Sequence, residues 1–282
     1  MKRYRFLRLR SPRPVRNPGF SVMELLVVIA ILLVLGAIAV PVYSTTKQRA
    51  NKQAALKSMK ELGSALSTYT AQNAGSLPAE DAAGTDTWKN TAKPEANDAW
   101  YNALPRLAGR KGVGDFADSP RDFYTKESVL FLPGAAYPDS DKKLREPLFA
   151  IAFNTKLQRR DADGKKKKTK LSEIANPSRT VVLLEQGLPE EPKTLEIQTK
   201  KDYDGSCKGS AKSFVGRYGG KGVLFFLDGH AEVVDAQNLL TETGGFPFPQ
   251  ASVIWTCTPE ENPNKNSEGQ NIIHVKEGLP PL

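Results

Sequence analysis

Three side chains near residue 230 have the types and the spacing that could hold a metal ion: Asp228, His230 and Glu232. Residues two apart on a strand share a face, so the three would point the same way. One imidazole and two carboxylates, however, are fewer ligands than the four of a structural zinc site. We therefore interpret the segment as a turn followed by a half-exposed strand, and we expect no metal there.

Two acidic stretches resemble the start of a calcium-binding loop: Asp161-Ala162-Asp163-Gly164 and Asp202-Tyr203-Asp204-Gly205. An EF-hand also needs an oxygen ligand at the fifth position of its loop and a bidentate glutamate at the twelfth. Counted from Asp161, those positions hold Lys165 and Ser172. The sequence therefore does not predict an EF-hand.

The chain has only two cysteines, Cys207 and Cys257, and two histidines, which excludes a disulfide-dense scaffold, a four-thiolate zinc site and a His-rich metal centre. If the cysteines face an oxidising compartment, a bond between them would close a long loop and stabilise the fold by about 4 kcal/mol. The alternative is that both act as small buried apolar side chains.

The formal charge of +9 is concentrated at the start of the chain. Residues 1–19 hold seven basic side chains and no acid, and the remainder carries 33 Lys and Arg against 31 Asp and Glu. A second basic run, at residues 165–170, has no interleaved aromatics, so we interpret it as a solvated hairpin tip and expect no nucleic-acid partner. The sequence has no Gly-x-Ser-x-Gly motif and no phosphate-binding loop. We expect neither enzymatic activity nor a cofactor.

The elements that would position these residues begin with an uncharged run at residues 25–46. Its 22 residues form about 33 Å of helix, enough for one membrane span, which we place at about 21–43. The basic residues before it predict a cytoplasmic N-terminus and a head on the other side of the membrane. The alternative, a cleaved secretory signal, fits less well because the apolar run is long and the helical pattern continues beyond it.

Beyond Pro41 the apolar residues recur every three or four positions, which predicts one helix from about Ser21 to about Asn73, within a segment 20–74. Asn73-Ala74-Gly75 and Pro78 mark its end. Pro41 lacks an N–H and predicts a kink.

Residues 75–282 predict a head domain, which gives the chain an α+β fold. Gly, Pro, Asp and Asn dominate residues 75–135, so we expect an irregular connection with a short helix around 98–107. Strand patterns follow at residues 149–154, 180–185, 222–227 and 231–234. Asp228-Gly229 between the last two predicts a hairpin with a type I′ turn, within an antiparallel sheet laid on the long helix.

The N-terminal segment resembles a known family. Gly19-Phe20-Ser21-Val22-Met23-Glu24, followed at once by the apolar run, looks like the signal of type IV prepilins and type II secretion pseudopilins. The resemblance implies cleavage after Gly19 and N-methylation of Phe20 by prepilin peptidase. It also implies that Glu24 and Pro41 match the acid and the proline of the family's helix, where Glu24 would be the counter-ion for the Phe20 amine of its own or a neighbouring subunit.

The head carries a second resemblance. Residues 174–185, Arg217-Tyr218-Gly219-Gly220 and Phe226-Leu227-Asp228-Gly229-His230 look like a prepilin-associated domain with a His nine residues before an Asp-Gly pair. Tyr218 stands at the position of that His in this chain. Because some secretion pseudopilins bind calcium in a head loop, calcium remains an alternative to the absence of a cofactor.

Together these resemblances imply a structural subunit of a type II secretion pseudopilus or a related filament, made of copies of this chain or of several pseudopilins. The subunit would sit in the inner membrane, with a periplasmic or surface-exposed head, until prepilin peptidase and the assembly machinery act on it. The alternatives are a surface type IV pilin for adhesion, motility or DNA uptake, and a membrane-anchored binding domain that does not polymerise.

Overall fold

The computed structural model of the chain describes residues 21–81, 87–139, 145–160, 166–196, 198–239 and 253–257, without the side chains of residues 38–41, 160 and 238. The chain divides into two compact units, one up to Thr46 and one from Lys47 onward. The predicted leader, residues 1–19, lies outside the described residues, so its removal stays a prediction.

The long helix, α1, spans Val22–Gln72, as its apolar periodicity predicts. It ends at the expected stop signal, because Ala74 and Gly75 both have positive φ, at 51° and 75°. The Gly75 N–H donates to the Thr70 carbonyl at 2.8 Å and so satisfies one of the last helical acceptors. Pro41 lies within α1.

The described part of the connection after α1 contains three short α-helices: α2 (Trp88–Thr91), α3 (Trp100–Leu107) and α4 (Pro120–Phe123). The predicted helix around 98–107 is confirmed as α3. Aromatic side chains anchor this irregular segment, and the Trp100 indole N–H donates to the Cys207 carbonyl at 2.8 Å. The rings of Trp88 and Phe123 pack edge to face, with their centroids 5.5 Å apart.

Among the residues that the structure describes, seven strands follow: β1 (Ile151–Asn154), β2 (Arg159–Arg160), β3 (Lys166–Lys167), β4 (Val181–Glu185), β5 (Lys208–Gly209), β6 (Lys221–Phe226) and β7 (Ala231–Asp235). Five of them form one sheet in the order β5-β1-β4-β6-β7, and β2 pairs with β3. The four strand patterns in the sequence are thus confirmed as β1, β4, β6 and β7, each within two residues of its predicted limits.

The hairpin of β6 and β7 has the predicted pairing but a different turn. Phe225 pairs with Ala231, and the Phe226 N–H donates to the His230 carbonyl at 2.9 Å, so the loop is longer than two residues. Gly229 has a φ of 99°, whereas Asp228 is not among the described residues with positive φ. The predicted type I′ turn is therefore wrong, since that turn needs positive φ at both central positions.

The sheet is mixed, whereas the sequence predicted an antiparallel one. β5 runs parallel to β1, with Phe153 opposite Lys208. The two-residue β5 has no strand pattern of its own and is held by β1, where the Phe153 N–H donates to the Cys207 carbonyl at 3.1 Å. Long-range pairing, rather than local propensity, creates this strand.

Residues 253–257, which we call the closing segment, complete the head. The Ile254 N–H donates to the Arg179 carbonyl at 2.7 Å, and the Ile254 carbonyl accepts from the Val181 N–H at 3.0 Å. The Asn154 amide donates to the Trp255 carbonyl at 2.9 Å. The closing segment is buried throughout and lies against the residue that precedes β4.

Both faces of the sheet are covered, which explains why its central strands are continuous apolar runs. The larger core cluster contains Met59, Leu62 and Leu66 of α1 together with Val223 and Phe225 of β6. The smaller cluster takes the alternate β6 residues, Leu224 and Phe226, with Val253 and Trp255 of the closing segment.

Candidate functional site

The first half of α1 is an apolar helix with its side chains exposed. Every large apolar residue described between Val22 and Leu35 has at least 43% of its surface exposed. Within the described ranges, α1 is the one helix long and apolar enough to cross a membrane, and the most apolar 18-residue window has no buried residue. Such a surface requires lipid or other apolar helices around it.

A reciprocal cap begins this helix. The Ser21 N–H donates to Glu24 Oε2 at 2.8 Å, and the Glu24 N–H donates to Ser21 Oγ at 3.2 Å. This is a capping box, and the carboxylate also lies in the first turn, where the helix dipole favours negative charge. The Ser-x-x-Glu spacing is a recognised sequence signal for this cap, which was not among the features predicted from the sequence.

The other residues expected to act at the N-terminus are not all visible. Gly19 and Phe20 lie outside the described residues, so cleavage and methylation there stay predictions. Pro41 is helical, but its side chain is not described. Its predicted kink and its role in assembly also stay predictions.

The second half of α1 packs on the sheet of the head. Ala55, Met59 and Leu62 are completely buried. A Cβ added to Gly63 would collide with the ring of Phe225 on β6. The helix and the sheet are therefore in close contact at Gly63, where any larger residue would require the Phe225 ring to move.

A buried charge cluster lies in the same unit, made of Glu185, Glu191, Arg217 and Tyr218. The Arg217 guanidinium donates to both Glu191 oxygens at 2.7 Å and lies 3.8 Å from Glu185. The side chains of all three ions have 5% or less of their surface exposed. Arg217 also donates to the carbonyls of Gln186 and Ala150, so one cation ties β4, β1 and the loop after β4 together.

Tyr218 connects this cluster to α1. Its hydroxyl donates to Glu185 Oε1 at 2.8 Å. The Tyr218 hydroxyl oxygen also lies 3.4 Å from the main-chain carbonyl oxygen of Asn51. The second Glu185 oxygen accepts from the Val223 N–H at 2.9 Å. Tyr218 is therefore a buried tyrosine that lies between the sheet and the long helix.

The electrostatics of the cluster follow from its burial. Burial raises the pKa of Glu185 to about 7, although Arg217 and the hydrogen bonds from Tyr218 and Val223 act in the opposite direction. Burial would lower the pKa of Arg217, but the bond to Glu191 and the charge of Glu185 raise it. Burial and the neighbouring Glu185 raise the pKa of Tyr218, which stays neutral. The cluster thus has one permanent cation between two carboxyl side chains, and the pKa of Glu185 is raised by its burial.

Lysines of the basic run pair with acids from distant segments. Lys166 bonds Asp81, which also pairs with Lys208 at 2.6 Å. Lys168 pairs with Asp98 at 2.7 Å and donates to the Tyr69 hydroxyl near the end of α1. The predicted hairpin is confirmed by the β2–β3 pairing, but these lysines join the hairpin to the rest of the head, so it is not simply a solvated tip.

Burial would raise the pKa of Asp81, but the hydrogen bonds from Lys166 and Lys208 lower it. The carboxylate therefore stays ionised between its two lysines. Ammonium groups at both oxygens of the Asp81 carboxylate stabilise the head through charge-assisted hydrogen bonds.

The two cysteines lie in the same apolar cluster. Cys207 and Cys257 are 0% and 1% exposed. Their sulfurs point toward the carbonyls of Glu80 and Leu157, at 3.6 Å and 3.9 Å. The predicted bond between them stays a prediction.

The acidic candidates for metal or calcium binding have other partners. Asp228 bonds the ring of His230 at 2.6 Å, and that ring stacks on Phe226. Asp202 and Asp204 accept from the N–H groups of Thr199 and Ser206, as turn residues do. Among the described residues no three His, Cys, Asp or Glu side chains converge on a metal position. Asp161, Asp163 and Gly164 lie outside the described residues, and calcium binding stays untested.

Comparisons with known proteins give two similar curated proteins. The type II secretion system core protein G of Dickeya chrysanthemi is 34% identical over 95 residues, which cover 32% of this chain and 62% of that protein. The core protein G of Pectobacterium carotovorum subsp. carotovorum is 33% identical over 95 residues, covering 32% and 61%. The chain thus spans less than two thirds of the length of these relatives. No family model matches the chain, and no solved structure does.

Proposed function

We propose that this chain is a non-enzymatic structural subunit of a type II secretion pseudopilus. One observation carries the proposal: a single helix has an exposed apolar half that begins with an acid, and a second half on which an α+β head is built. The similarity to two core proteins G of type II secretion systems supports the same role. The apolar half would first cross the inner membrane and later pack among the helices of neighbouring subunits.

Glu24 has a specific part in this proposal. A carboxylate at the start of a membrane span costs roughly 2.5–3.5 kcal/mol on insertion scales, so it requires a favourable partner. The capping box supplies hydrogen bonds but no opposite charge. Cleavage after Gly19 would create a cationic amine on Phe20, and the amine of an adjacent subunit would neutralise Glu24 during assembly.

Processing by prepilin peptidase is part of the same proposal. The basic leader at residues 1–19 would stay in the cytoplasm, and the head would stand in the periplasm, because positive residues favour the cytoplasmic side. Removal of the leader frees the Phe20 amine and permits assembly. An uncleaved chain would lack the charge that Glu24 needs.

The proposal is tested by expressing the full chain with a prepilin peptidase and a type II secretion apparatus. We expect the intact mass of the membrane form to correspond to a chain that begins at methylated Phe20, and we expect that form in sheared or cross-linked filaments. A chain that keeps Met1, or that stays monomeric in the membrane with the apparatus active, would contradict the proposal. Filaments that form only with a retractable surface-pilus apparatus would favour a surface pilin instead.

A further inference from the structure

The part of α1 that follows the apolar half is rich in cations and has no acid. No Asp or Glu occurs between Glu24 and Glu61, whereas five basic residues do: Lys47, Arg49, Lys52, Lys57 and Lys60. Lys47 follows the last exposed aromatic of the apolar half, Tyr43, by four positions. Positive charge therefore begins within about one helical turn of the apolar surface.

The three cations nearest the apolar half have no acidic partner among the residues that the structure describes. Lys47 and Arg49 are exposed and Lys52 is half-buried, and none of the three forms an ion pair with a residue that the structure describes. Some described basic residues of the head, among them Lys166, Lys168 and Arg217, do pair with a carboxylate. The charges on this part of α1 are therefore available to an external anion.

The arrangement of these cations resembles a ring more than a stripe. At about 100° per residue, Arg49 and Lys52 lie roughly 200° and 140° around the helix from Lys47. A partner helix would contact a single stripe of residues at spacings of three and four. Charges on several sides of a helix suit a layer of anionic groups that the helix crosses, because such a layer surrounds the helix.

We propose that Lys47, Arg49 and Lys52 form a collar that binds the phosphate groups of anionic phospholipids where α1 leaves the bilayer. The inference rests on the proposed function, because it needs the apolar half to span a membrane. The 22 uncharged residues before Lys47 make about 33 Å of helix, close to the roughly 30 Å of the hydrocarbon core, so the collar falls at the depth of the headgroups. Long basic side chains at that depth extend to phosphate oxygens, and each cation near an anionic surface strengthens association about fivefold.

The first experiment is amine footprinting of the full chain in vesicles. The protein is placed in phosphatidylcholine vesicles and in an equal mixture of phosphatidylcholine and phosphatidylglycerol, then acetylated with a water-soluble reagent and mapped by mass spectrometry. We expect labelling of Lys47 and Lys52 to fall about fivefold in the anionic vesicles, and to recover at high salt, because salt screens these charges. Lys93, an exposed lysine of the head, should not change. Equal labelling of Lys47 in both vesicles would overturn the inference.

A charge-matched pair of variants supplies the second test. One variant carries K47Q, R49Q and K52Q; the control carries K89Q, K93Q and K126Q, which removes the same charge from exposed positions of the head. Electron spin resonance of spin-labelled lipids measures how strongly each protein selects phosphatidylglycerol over phosphatidylcholine. We expect the control to select like the unmodified chain and the collar variant to lose selection. Equal loss in both variants would show an effect of net charge alone and overturn the inference.

Two further outcomes separate this inference from its premise. Protection of Lys47 that depends on protein density and not on phosphatidylglycerol would indicate acids of a neighbouring copy, and would overturn the lipid assignment. Extraction of the protein from vesicles by alkaline carbonate would show that the membrane span itself, and so the proposed function, has failed. Retention in the membrane without lipid selection would reject only the collar.

Discussion

The hydroxyl of Tyr218 donates to Glu185 at 2.8 Å while its oxygen lies 3.4 Å from the carbonyl of Asn51. A charged Glu185 accepts the hydrogen bond of the Tyr218 hydroxyl. A protonated Glu185 can donate instead, which leaves the tyrosine proton for the Asn51 carbonyl on α1. The protonation of one buried carboxyl thus decides whether the Tyr218 hydroxyl donates to the sheet or to the helix.

Stability should fall as pH rises through the titration of Glu185. Burial raises its pKa from 4.5 to about 7 in the folded chain, so between these values the folded state binds more protons than the unfolded state. The stabilising contribution is complete below pH 4.5 and is lost as pH passes 7, with a slope of up to about 1.4 kcal/mol per pH unit. Urea unfolding of the full chain in detergent at a series of pH values measures this slope.

The matched variant for that measurement is Glu185→Gln, which keeps the shape and removes the titration. It should flatten the slope between pH 4.5 and 7, whatever its effect on absolute stability. Asp81 supplies an internal reference of opposite sign. Because its two lysines lower its pKa, its contribution is lost as pH falls through the acidic range. An unchanged slope in Glu185→Gln would contradict the titration we assign to this residue.

Tyr218→Phe should destabilise the head and move the Glu185 titration upward. The change removes the donor to a buried carboxyl, which typically costs about 1–3 kcal/mol. The ring itself is kept, so core packing is preserved. Because the lost bond lowers the pKa of Glu185, the pH range of the stability loss should shift to higher values. A simple packing defect would lower stability equally at all pH values and leave the titration where it was.

Gly63→Ala should destabilise the chain although alanine is the better helix former. The gain in helix propensity is about 1 kcal/mol, whereas overpacking against the Phe225 ring typically costs about 1–3 kcal/mol. Gly36→Ala is the matched control on the same helix, because a Cβ there meets no atom within 4 Å. Denaturant unfolding measures the free energy of unfolding of both variants. In the double variant, Gly63→Ala with Phe225→Leu, the loss of unfolding free energy should be smaller than the sum of the losses in the two single variants, because the smaller side chain relieves the overpacking.

Glu24→Gln should be inserted and cleaved but should not assemble. Glutamine still completes a capping box, so the variant removes the charge while keeping the helix start. Breaking a desolvated ion pair typically costs about 3–5 kcal/mol, and roughly 3 kcal/mol is more than a hundredfold in the equilibrium for adding a subunit. Immunoblots of membrane and sheared-filament fractions measure both steps.

Ser21→Ala is the complementary control for Glu24. It removes the hydroxyl that accepts from the Glu24 N–H and keeps the charge. If Glu24 acts as a counter-ion, Ser21→Ala should form filaments and Glu24→Gln should not. The reverse result would show that the cap, and not the charge, is what assembly requires.

Cys207 and Cys257 should be joined in protein taken from an oxidising compartment. Both lie in one apolar cluster, and closing the loop between them stabilises by about 4 kcal/mol on the entropic estimate. Non-reducing peptide mapping should find the two in one linked fragment, and reduction should lower the unfolding midpoint. Complete alkylation of both thiols in unfolded, unreduced protein would refute the bond.

The sequence predicts the long helix and four central strands because periodicity and apolar runs are local signals. It does not predict β5 or the closing segment, since their hydrogen bonds go to residues far away in the chain, as Asn154 does to Trp255. The role of Glu185 likewise could not be predicted from the local sequence. It is visible only as an acid at the end of an apolar strand, and its role depends on Arg217 and Tyr218, which the fold brings to it.

The basic run at residues 165–170 shows why an interpretation from local sequence alone was incomplete. As a sequence, residues 165–170 are a charged stretch after a turn. In the fold, Lys166 and Lys168 reach Asp81 and Asp98, two acids from the irregular connection that no spacing rule links to them. Ser21 and Glu24 are the opposite case, because their cap is local and their three-residue spacing was sufficient to predict it.

The closing segment also has a consequence for the order of biosynthesis. Asn154 of β1, which donates to the Trp255 carbonyl, lies about a hundred residues before the closing segment in the chain. Val253 and Trp255 of the closing segment belong to the core cluster on one face of the sheet. A chain that emerges from its N-terminus would therefore insert α1 long before its head can close. Contacts of such large sequence separation form slowly, so newly translocated subunits would wait in the membrane, anchored but incomplete, until residue 257 has crossed. If the head crosses a membrane as proposed, this interval would separate anchoring from maturation in time and would give folding factors a defined period in which to act.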